Sequence, residues 1–218
     1  TPVLCDVDLK SWCLDANQLK KLITSKTKAV MPVHLYGHPC NMDEIASVAH
    51  AHNLLIIEDC AEAIGTKWND NLVGTWGDAS IFSFFGNKTI STGEGGMLLI
   101  RDKQNAEYAK ILRDHGMSSD KKYWHDVIGF NYRLTNLQAA IGVAQMERFP
   151  EIIEKKKSLA SLYHRYLSNV DGTNDATINV SISGSANFQE RRYILKTVDI
   201  PADSTVVIEK PINLGAGD

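Results

Sequence analysis

The sequence has 218 residues, of which 44% are hydrophobic and 22% charged, as in an ordinary soluble globular protein. This composition excludes a disordered chain, a collagen and a coiled-coil rod. Lys and Arg number 23 and Asp and Glu 26, so the net charge of -3 offers no basic surplus for nucleic acid. The longest apolar runs, such as residues 54–57, are too short to span a bilayer, and no leader pattern opens the sequence. We therefore expect a cytoplasmic protein that binds neither nucleic acid nor membrane.

Strand and helix signals alternate over the first hundred residues. Apolar runs predict strands at residues 3–7, 29–33, 54–57, 80–84 and 97–100. Asp15 and Asn41 can cap the two helices between the first three strands, because their side chains accept hydrogen bonds from free backbone N–H groups. This order predicts a parallel or mixed α/β sheet. The uninterrupted apolar run at residues 54–57 predicts a strand that is covered on both faces.

Helix signals dominate the next part of the chain. They cover residues 103–113, 135–148 and 150–167. The lysines at 155–157 are typical of a solvated helix face, not of a nucleic-acid site. After a turn-rich stretch, apolar and polar residues alternate, which predicts a small antiparallel β segment. We therefore divide the sequence into an α/β domain at residues 1–169 and a β-rich segment at residues 170–218.

The cysteines give little sign of a metal site. Cys5, Cys13, Cys40 and Cys60 form no CxxC pair, and free thiols in a reducing compartment are expected. His34, His38 and Cys40 could form a metal-binding trio. A loop that follows a strand is a poor frame for such a trio, so we expect no metal.

Polar residues follow two of the apolar strands. Asp59 ends the most apolar strand, Ser83 ends another, and Lys88 lies just beyond Ser83, before a glycine-rich turn. In open α/β sheets, ligands bind beyond the carboxyl ends of the strands. A lysine among small and polar residues suits a nucleophilic amine that forms a Schiff base with an aldehyde cofactor. Spacing alone leaves a solvated lysine and a helix-capping acid as alternatives.

Five longer strings are more specific than this spacing. They are HLYGHP at residues 34–39, IEDCAEA at 57–63, SFFGNKT at 83–89, TGEGGM at 92–97 and GFNYRLTNLQAA at 129–140. Together they resemble the DegT/DnrJ/StrS-type sugar aminotransferases, which use pyridoxal 5'-phosphate (PLP). The resemblance covers roughly residues 1–169. It implies part of the large domain of an aspartate aminotransferase-like PLP-transferase, followed by the short β-rich segment.

The resemblance also implies roles for individual residues. Lys88 would hold PLP through a Schiff base, and Asp59 would pair with the pyridinium nitrogen so that the ring can accept electrons. Ser83 would donate a hydrogen bond to the cofactor phosphate. Asn131 would reach the phosphate in the neighbouring subunit, because family members are homodimers with shared active sites. Glu62 would complete the cofactor-binding set.

Glu62 stands where many relatives carry glutamine. The branch of the family that carries glutamate here converts GDP-4-keto-6-deoxymannose to GDP-perosamine, a precursor of O-antigen polysaccharides, with glutamate as amino donor. The other strings also look most similar to this branch. The resemblance therefore implies transamination of a nucleotide-linked 4-keto-6-deoxy sugar. Trp124 and His125 could contact the nucleotide, and a surface-loop role for them is the open alternative.

Part of the family pattern lies outside the sequence. The resemblance starts inside the large domain, after the strands and the helix N-terminus that cradle the phosphate in relatives. Residues 170–218 do not resemble the family's small domain and show a weak similarity to phage structural β-domains. One alternative is therefore a non-catalytic fragment, a fusion or a virion-associated protein. Another is a PLP-dependent sugar dehydratase, against which Lys88 argues, because the resemblance implies histidine at this position in those enzymes.

Overall fold

A mixed β-sheet forms the centre of the fold. The structure is a computed structural model, and it describes residues 1–167 of the 218. The strands are β1 (Ala29–Val30), β2 (Leu55–Asp59), β3 (Lys67–Trp68), β4 (Asn71–Leu72), β5 (Ala79–Ser83) and β6 (Gly96–Ile100). The sheet order is β1-β2-β5-β6, in which β1, β2 and β5 are parallel and β6 is antiparallel to β5. The prediction of a mixed α/β sheet is confirmed.

The predicted helices form with bounds close to those expected. They are α1 (Ala16–Leu22), α2 (Met42–Ala51), α3 (Lys103–Arg113), α4 (Asn136–Glu147) and α5 (Phe149–Leu167). The first four begin after a residue whose side chain accepts a hydrogen bond from a backbone N–H of the first turn. These caps are Asp15, Asn41, Asp102 and Thr135. Two of them, Asp15 and Asn41, were expected from the sequence.

The main core lies between α1, α2 and the first two strands. Its buried residues are Cys13, Ala16, Leu19, Val30, Cys40, Met42, Ile45, Val48, Ala49, Leu54 and Ile56. The opposite face of β2 is partly open, because Leu55 is 54% exposed and Ile57 is only half-buried. The expectation that this strand is covered on both faces is therefore wrong for the described residues. Since side chains alternate along a strand, Asp59 shares the open face with Leu55 and Ile57.

Two strand predictions fail near the start of the chain. Residues 3–7 form no strand, and a single bridge joins Val7 to Leu14 while Leu4 stays 91% exposed. The strand predicted at residues 29–33 pairs continuously with its neighbour only as far as Val30. Pro32 has no N–H to continue that ladder. Val33 nevertheless makes an isolated parallel bridge with Asp59.

The β3–β4 hairpin was not predicted from the sequence. Its turn residues, Asn69 and Asp70, have φ values of 46° and 64°, in the left-handed region that the tight hairpin turn requires. Asn and Asp tolerate this region better than other side chains do. The Asn69–Asp70 pair was thus the available signal.

Two further expectations concern the rest of the chain. None of the helices within residues 1–167 combines the length and the apolar character needed to cross a membrane. The β-rich segment predicted at residues 170–218 lies outside the described residues.

Candidate active site

Most of the predicted site residues lie at one edge of the sheet. Asp59 ends β2 and Ser83 ends β5, and these parallel neighbours finish at the same edge. β6 starts there, since Gly96 pairs with Ser83. Residues 84–95, which we call the lysine loop, therefore span this edge and carry Lys88. The carboxyl ends of parallel strands are where open α/β sheets bind ligands.

The amine of Lys88 lies close to a carboxylate at this edge of the sheet. Its Nζ lies 3.4 Å from Oε1 of Glu62, and the two side chains are only 16% and 32% exposed. The other carboxylate oxygen of Glu62, Oε2, accepts a 2.8 Å hydrogen bond from the backbone N–H of Tyr36. Tyr36 has a φ of 52°, so the chain adopts a left-handed conformation where this N–H points at Glu62. Because Oε2 is anchored, Oε1 stays directed at the amine.

Asp59 and Ser83 keep capacity for further hydrogen bonds. Oδ1 of Asp59 accepts a 3.0 Å hydrogen bond from the N–H of Ala61, and Oδ2 has no hydrogen-bond partner among residues 1–167. Oγ of Ser83 accepts from the N–H of Phe85 at 3.3 Å, which leaves its own proton available. A half-buried carboxylate oxygen and a hydroxyl proton therefore face the same sheet edge as Lys88.

The lysine loop is held by backbone bonds and by α4. The N–H of Phe84 donates to the carbonyl of Gly95, and Gln138 on α4 donates through Nε2 to the carbonyl of Glu94. A Cβ at Gly96 would come within 2.6 Å of the carbonyl oxygen of Phe82. The glycine-rich turn therefore lets β6 approach β5 closely enough to pair, which fixes the end of the loop that carries Lys88.

Three other predicted residues lie outside this cluster. Asn131 pairs with Asp114 in an isolated bridge, and no contact within the described chain joins it to Lys88, Asp59 or Ser83. Trp124 lies under the Nζ of Lys121, 4.2 Å from the ring centroid. Nδ1 of His125 donates to the carbonyl of His115 at 2.8 Å, beside an open cleft of about 550 Å³. The expected role of Asn131 in a neighbouring subunit's site stays a prediction.

A buried carboxylate, to which the sequence pointed only as the neighbour of Asp59 at the strand end, lies next to Asp59. Glu58 is fully buried and accepts hydrogen bonds from His34 and from three backbone N–H groups. Their lengths are 3.1 Å from His34 Nε2, 2.6 Å from Gly74, 2.8 Å from Trp76 and 2.8 Å from Gly77. Burial alone would raise the pKa of Glu58, but the hydrogen bonds from His34, Gly74 and Gly77 lower it below its ordinary value. Glu58 is therefore ionised and fully satisfied in the interior.

The alternative metal trio is not assembled as the sequence suggested. Within residues 1–167, the potential ligands that lie within 4.8 Å of one another are His34, Glu58 and Cys60. Both ring nitrogens of His34 already bond to the protein, through Glu58 and through the N–H of Cys40. Burial and the nearby carboxylates raise the pKa of Cys60 to about 12, so its thiol stays protonated. The four cysteines are free thiols, as expected.

The residues at the sheet edge fit PLP by their chemistry. PLP carries an aldehyde that reacts with an amine, a ring nitrogen that pairs with a carboxylate, and a phosphate that accepts hydrogen bonds. Lys88 supplies the amine, Asp59 supplies a carboxylate oxygen without a partner among residues 1–167, and Ser83 supplies a hydroxyl proton. All three belong to adjacent strands or to the loop between them.

Sequence comparison relates the chain to one family of known proteins. The sequence profile of the DegT/DnrJ/EryC1/StrS aminotransferase family matches residues 1–200. A GDP-perosamine synthase from Escherichia coli O157:H7 is 48% identical over 170 residues, which are 78% of this chain and 47% of the relative. A GDP-perosamine synthase from Caulobacter vibrioides is 47% identical over 184 residues, 84% of this chain and 49% of the relative. The chain thus spans about half the length of the curated relatives it matches.

A solved structure agrees with the sequence matches. Helicobacter pylori PseC, an aminotransferase involved in the biosynthesis of pseudoaminic acid, superposes with a TM-score of 0.75 at 30% identity. The match covers 78% of this chain and 46% of PseC. The described part of the chain therefore has the fold of part of such an enzyme.

Proposed function

Because the chain belongs to the DegT/DnrJ/EryC1/StrS aminotransferase family, we propose that it transfers an amino group to a nucleotide-linked 4-keto-6-deoxy sugar. PLP is the cofactor of this family. The observation that carries the proposal is the partly enclosed Lys88 amine beside Glu62, at the sheet edge where Asp59 and Ser83 end their strands. The names of the relatives and the glutamate at position 62 favour GDP-4-keto-6-deoxymannose as the sugar substrate and GDP-perosamine as the product. Glutamate is the proposed amino donor.

Each residue of the site would have a distinct task. Lys88 Nζ would bind the cofactor aldehyde and, once released, would carry a proton to and from the reacting carbon of the substrate. Asp59 would hold negative charge beside the ring nitrogen through Oδ2, which has no hydrogen-bond partner among residues 1–167. Ser83 would donate its hydroxyl proton to the phosphate. When bound, PLP supplies an electron-accepting ring that stabilises charge on the substrate carbon.

Glu62 would orient the amine that moves this proton. Its Oε1 accepts from Lys88 Nζ, while its Oε2 is fixed by the N–H of Tyr36. A proton-transfer group must stay within hydrogen-bond reach of the atom it serves, so a fixed partner restricts the arc over which Nζ swings. Asn131, which makes no contact with this cluster in the described chain, would serve the site of a second copy in a homodimer.

Labelling of Lys88 tests the cofactor site. The protein is mixed with PLP, reduced with borohydride and digested, and the modified peptide is identified by mass spectrometry. We expect one labelled peptide, which contains Lys88, and no label at this peptide in Lys88→Arg. Lys110→Arg, which changes an exposed lysine of α3, should label as the unchanged protein does. Label spread over the surface lysines would contradict the proposal.

Product analysis separates the proposal from its alternatives. With PLP, glutamate and GDP-4-keto-6-deoxymannose, we expect 2-oxoglutarate and an amino sugar in equal amounts. Loss of the sugar's 3-hydroxyl group without a new amino group would favour a dehydratase. Specific Lys88 labelling without any product would favour a non-catalytic chain.

A further inference from the structure

His34 occupies a buried position between the candidate site and the core. It follows the first strand and is completely inaccessible to solvent. Its Nδ1 lies 3.1 Å from the backbone nitrogen of Cys40, whose N–H can only donate. Nδ1 must therefore accept, and the ring proton sits on Nε2, which donates to Oε2 of Glu58 at 3.1 Å. A neutral ring of defined tautomer thus ties two segments of the chain together.

The backbone of His34 also holds Asp59. The N–H of His34 donates to the carbonyl of Asp59 at 3.0 Å, and the N–H of Asp59 donates to the carbonyl of Pro32 at 2.9 Å. Glu58 and Asp59 are consecutive, so their side chains leave opposite faces of β2. His34 therefore contacts this strand twice, through its ring on the buried face and through its main chain at Asp59.

The same ring fixes the turn that reaches Glu62. Residues 33–40, which we call the histidine turn, contain Tyr36, whose N–H anchors Glu62 at 2.8 Å. His34 lies near one end of this turn and Cys40 lies at the other, and the hydrogen bond between them closes it. At the middle, Gly37 has a φ of 80°, which glycine adopts freely, whereas Tyr36 has a φ of 52°, a conformation that in a tyrosine needs support from its surroundings.

We propose that His34 is a positioning residue for the active site. It holds the histidine turn against Glu58. This keeps the carboxylate of Glu62 beside the amine of Lys88 and holds Asp59 at the end of β2. The inference rests on the proposed function for the meaning of these positions. Without the ring, Glu58 keeps its three backbone donors, so the sheet and the turn after β4 remain in place. The histidine turn loses its closing bond, and Glu62 loses a fixed anchor.

Two substitutions of His34 each keep one of the two hydrogen bonds of its ring and remove the other. His34→Asn retains an acceptor close to the backbone for the N–H of Cys40 and removes the donor to Glu58. His34→Gln extends an amide donor towards Glu58 and removes the acceptor at the Nδ1 position. His38→Asn is the matched control, because His38 lies in the same turn and its ring makes no hydrogen bond with the described residues. Asp102→Ala, which removes the cap of α3, provides a variant that is destabilised elsewhere.

The readout is the acetylation rate of Lys88 relative to that of Lys110 in the same sample. This ratio needs neither PLP nor turnover, and far-UV circular dichroism confirms that each variant is folded at the chosen temperature. We expect the ratio to rise about tenfold in both His34 variants, because Glu62 no longer retains the amine, and to stay within about twofold in both controls. PLP labelling of Lys88 should fall about tenfold in the same variants, since a misplaced site group typically costs this much or more.

The outcomes separate the two proposals. A relative acetylation rate in the His34 variants equal to that of the unchanged protein overturns the positioning role, whatever PLP does. A rise of the same size in Asp102→Ala also overturns it, because general loosening would then explain the effect. A shifted acetylation ratio in a protein whose Lys88 never takes up PLP refutes the proposed function and leaves the positioning of Lys88 standing.

Discussion

Lys88 differs in its surroundings from three exposed lysines of the helices that also pair with carboxylates. Lys110, Lys155 and Lys157 pair with carboxylates three or four positions away on their own helices and are 59–71% exposed. Such pairs contribute little to stability because water screens them. Lys88 is 16% exposed and meets a carboxylate 26 residues away in sequence. An amine held by tertiary structure is the kind of group that can serve chemistry.

Asp59→Asn should separate catalysis from stability. Asparagine can still accept the N–H of Ala61, so we expect the free energy of unfolding to fall by less than about 1 kcal/mol. In the proposed site, this change would remove a charge-assisted bond of about 1.5–3 kcal/mol to the PLP ring nitrogen, so transamination should slow by roughly 10- to 100-fold. Steady-state rates and urea unfolding of both proteins measure the two effects.

Asp78→Ala is a control for Asp59→Asn for which we expect the opposite result, lower stability with unchanged turnover. Asp78 accepts the N–H of Ile56 at 2.8 Å through Oδ2 and has no part in the candidate site. We expect this variant to lose about 1 kcal/mol of stability and to keep its turnover once folded. Unchanged turnover in Asp59→Asn would refute the role of Asp59.

Glu58 should make stability depend on pH in the acidic range. Its pKa in the folded protein lies below the ordinary value of 4.5, despite its burial, because of the hydrogen bonds from His34, Gly74 and Gly77. The unfolded chain therefore binds a proton first as the pH falls. The stabilisation is complete above the ordinary pKa and is lost as the pH falls through the lower folded pKa. Glu58→Gln should be about 1–3 kcal/mol less stable near neutral pH, since its amide cannot accept from all four donors.

The difference in the free energy of unfolding between Glu58→Gln and the unchanged protein should become smaller towards low pH. Urea unfolding from about pH 7 to about pH 3 gives the free energy of unfolding of each, and the curves should converge at the acidic end. Glu107→Gln, at an exposed pair, should follow the unchanged protein throughout. Parallel curves for Glu58→Gln would show that Glu58 is not the group responsible.

Individual residues of the site were predictable to different degrees. Lys88, Asp59 and Ser83 could be expected at one edge because strand ends in an open sheet meet there. The link from Glu62 to Tyr36 could not, since it depends on a backbone N–H whose direction follows from a φ of 52° and not from a side-chain type. The role of His34 was hidden for the same reason, as its partners include the backbone of Cys40 and of Asp59.

At the level of elements, helices were easier to predict than strands. A helix start is announced locally by a capping side chain, and Asp15 and Asn41 act as expected. A strand forms only where another strand lies beside it. The apolar run at residues 3–7 does not itself show whether such a partner is present. The hairpin at β3 and β4 is so short that its turn was its only local signal.

Thr135→Ala should weaken α4. Thr135 accepts the N–H of Gln138, and the side chain of Gln138 accepts the N–H of Thr135, which forms a capping box. Alanine leaves one of the free N–H groups at the helix start without a partner, so we expect a loss of about 1 kcal/mol in urea unfolding. Ser158→Ala, at an exposed position within α5, should lose nothing. Equal midpoints for Thr135→Ala and the unchanged protein would show that the box carries no stability.

The described part of the chain, residues 1–167, has many exposed apolar residues. No residue of α4 is buried within residues 1–167, and Leu137 and Ile141 are 80% and 50% exposed. On β6, three consecutive apolar residues are about half exposed, namely Met97, Leu98 and Leu99. Groups of exposed apolar residues are typical of surfaces that another protein surface covers. The proposed homodimer would provide such a cover.

Leu137→Glu should reduce self-association. We expect sedimentation velocity to show a concentration-dependent dimer for the unchanged protein and a shift of about tenfold towards monomer in the variant, because a charge in an apolar interface is desolvated without a partner. Lys155→Gln changes the net charge by the same amount on an exposed helix face and should leave the association unchanged. A monomer at every concentration would contradict the dimer.

The antiparallel pairing of β5 with β6 has a consequence for how the site is assembled during folding. Only 13 positions separate Ser83 from its partner Gly96, whereas 22 separate Ile57 from Ala79 and 26 separate Ala29 from Leu55. Closing a shorter loop sacrifices less chain entropy, and local pairings tend to form sooner than distant ones. The segment with Lys88 should therefore be closed before Asp59 and Glu62 join it, and pulsed hydrogen exchange should find the amides of β6 protected earlier than those of β1. The amine would be in place first, and the acids would arrive around it.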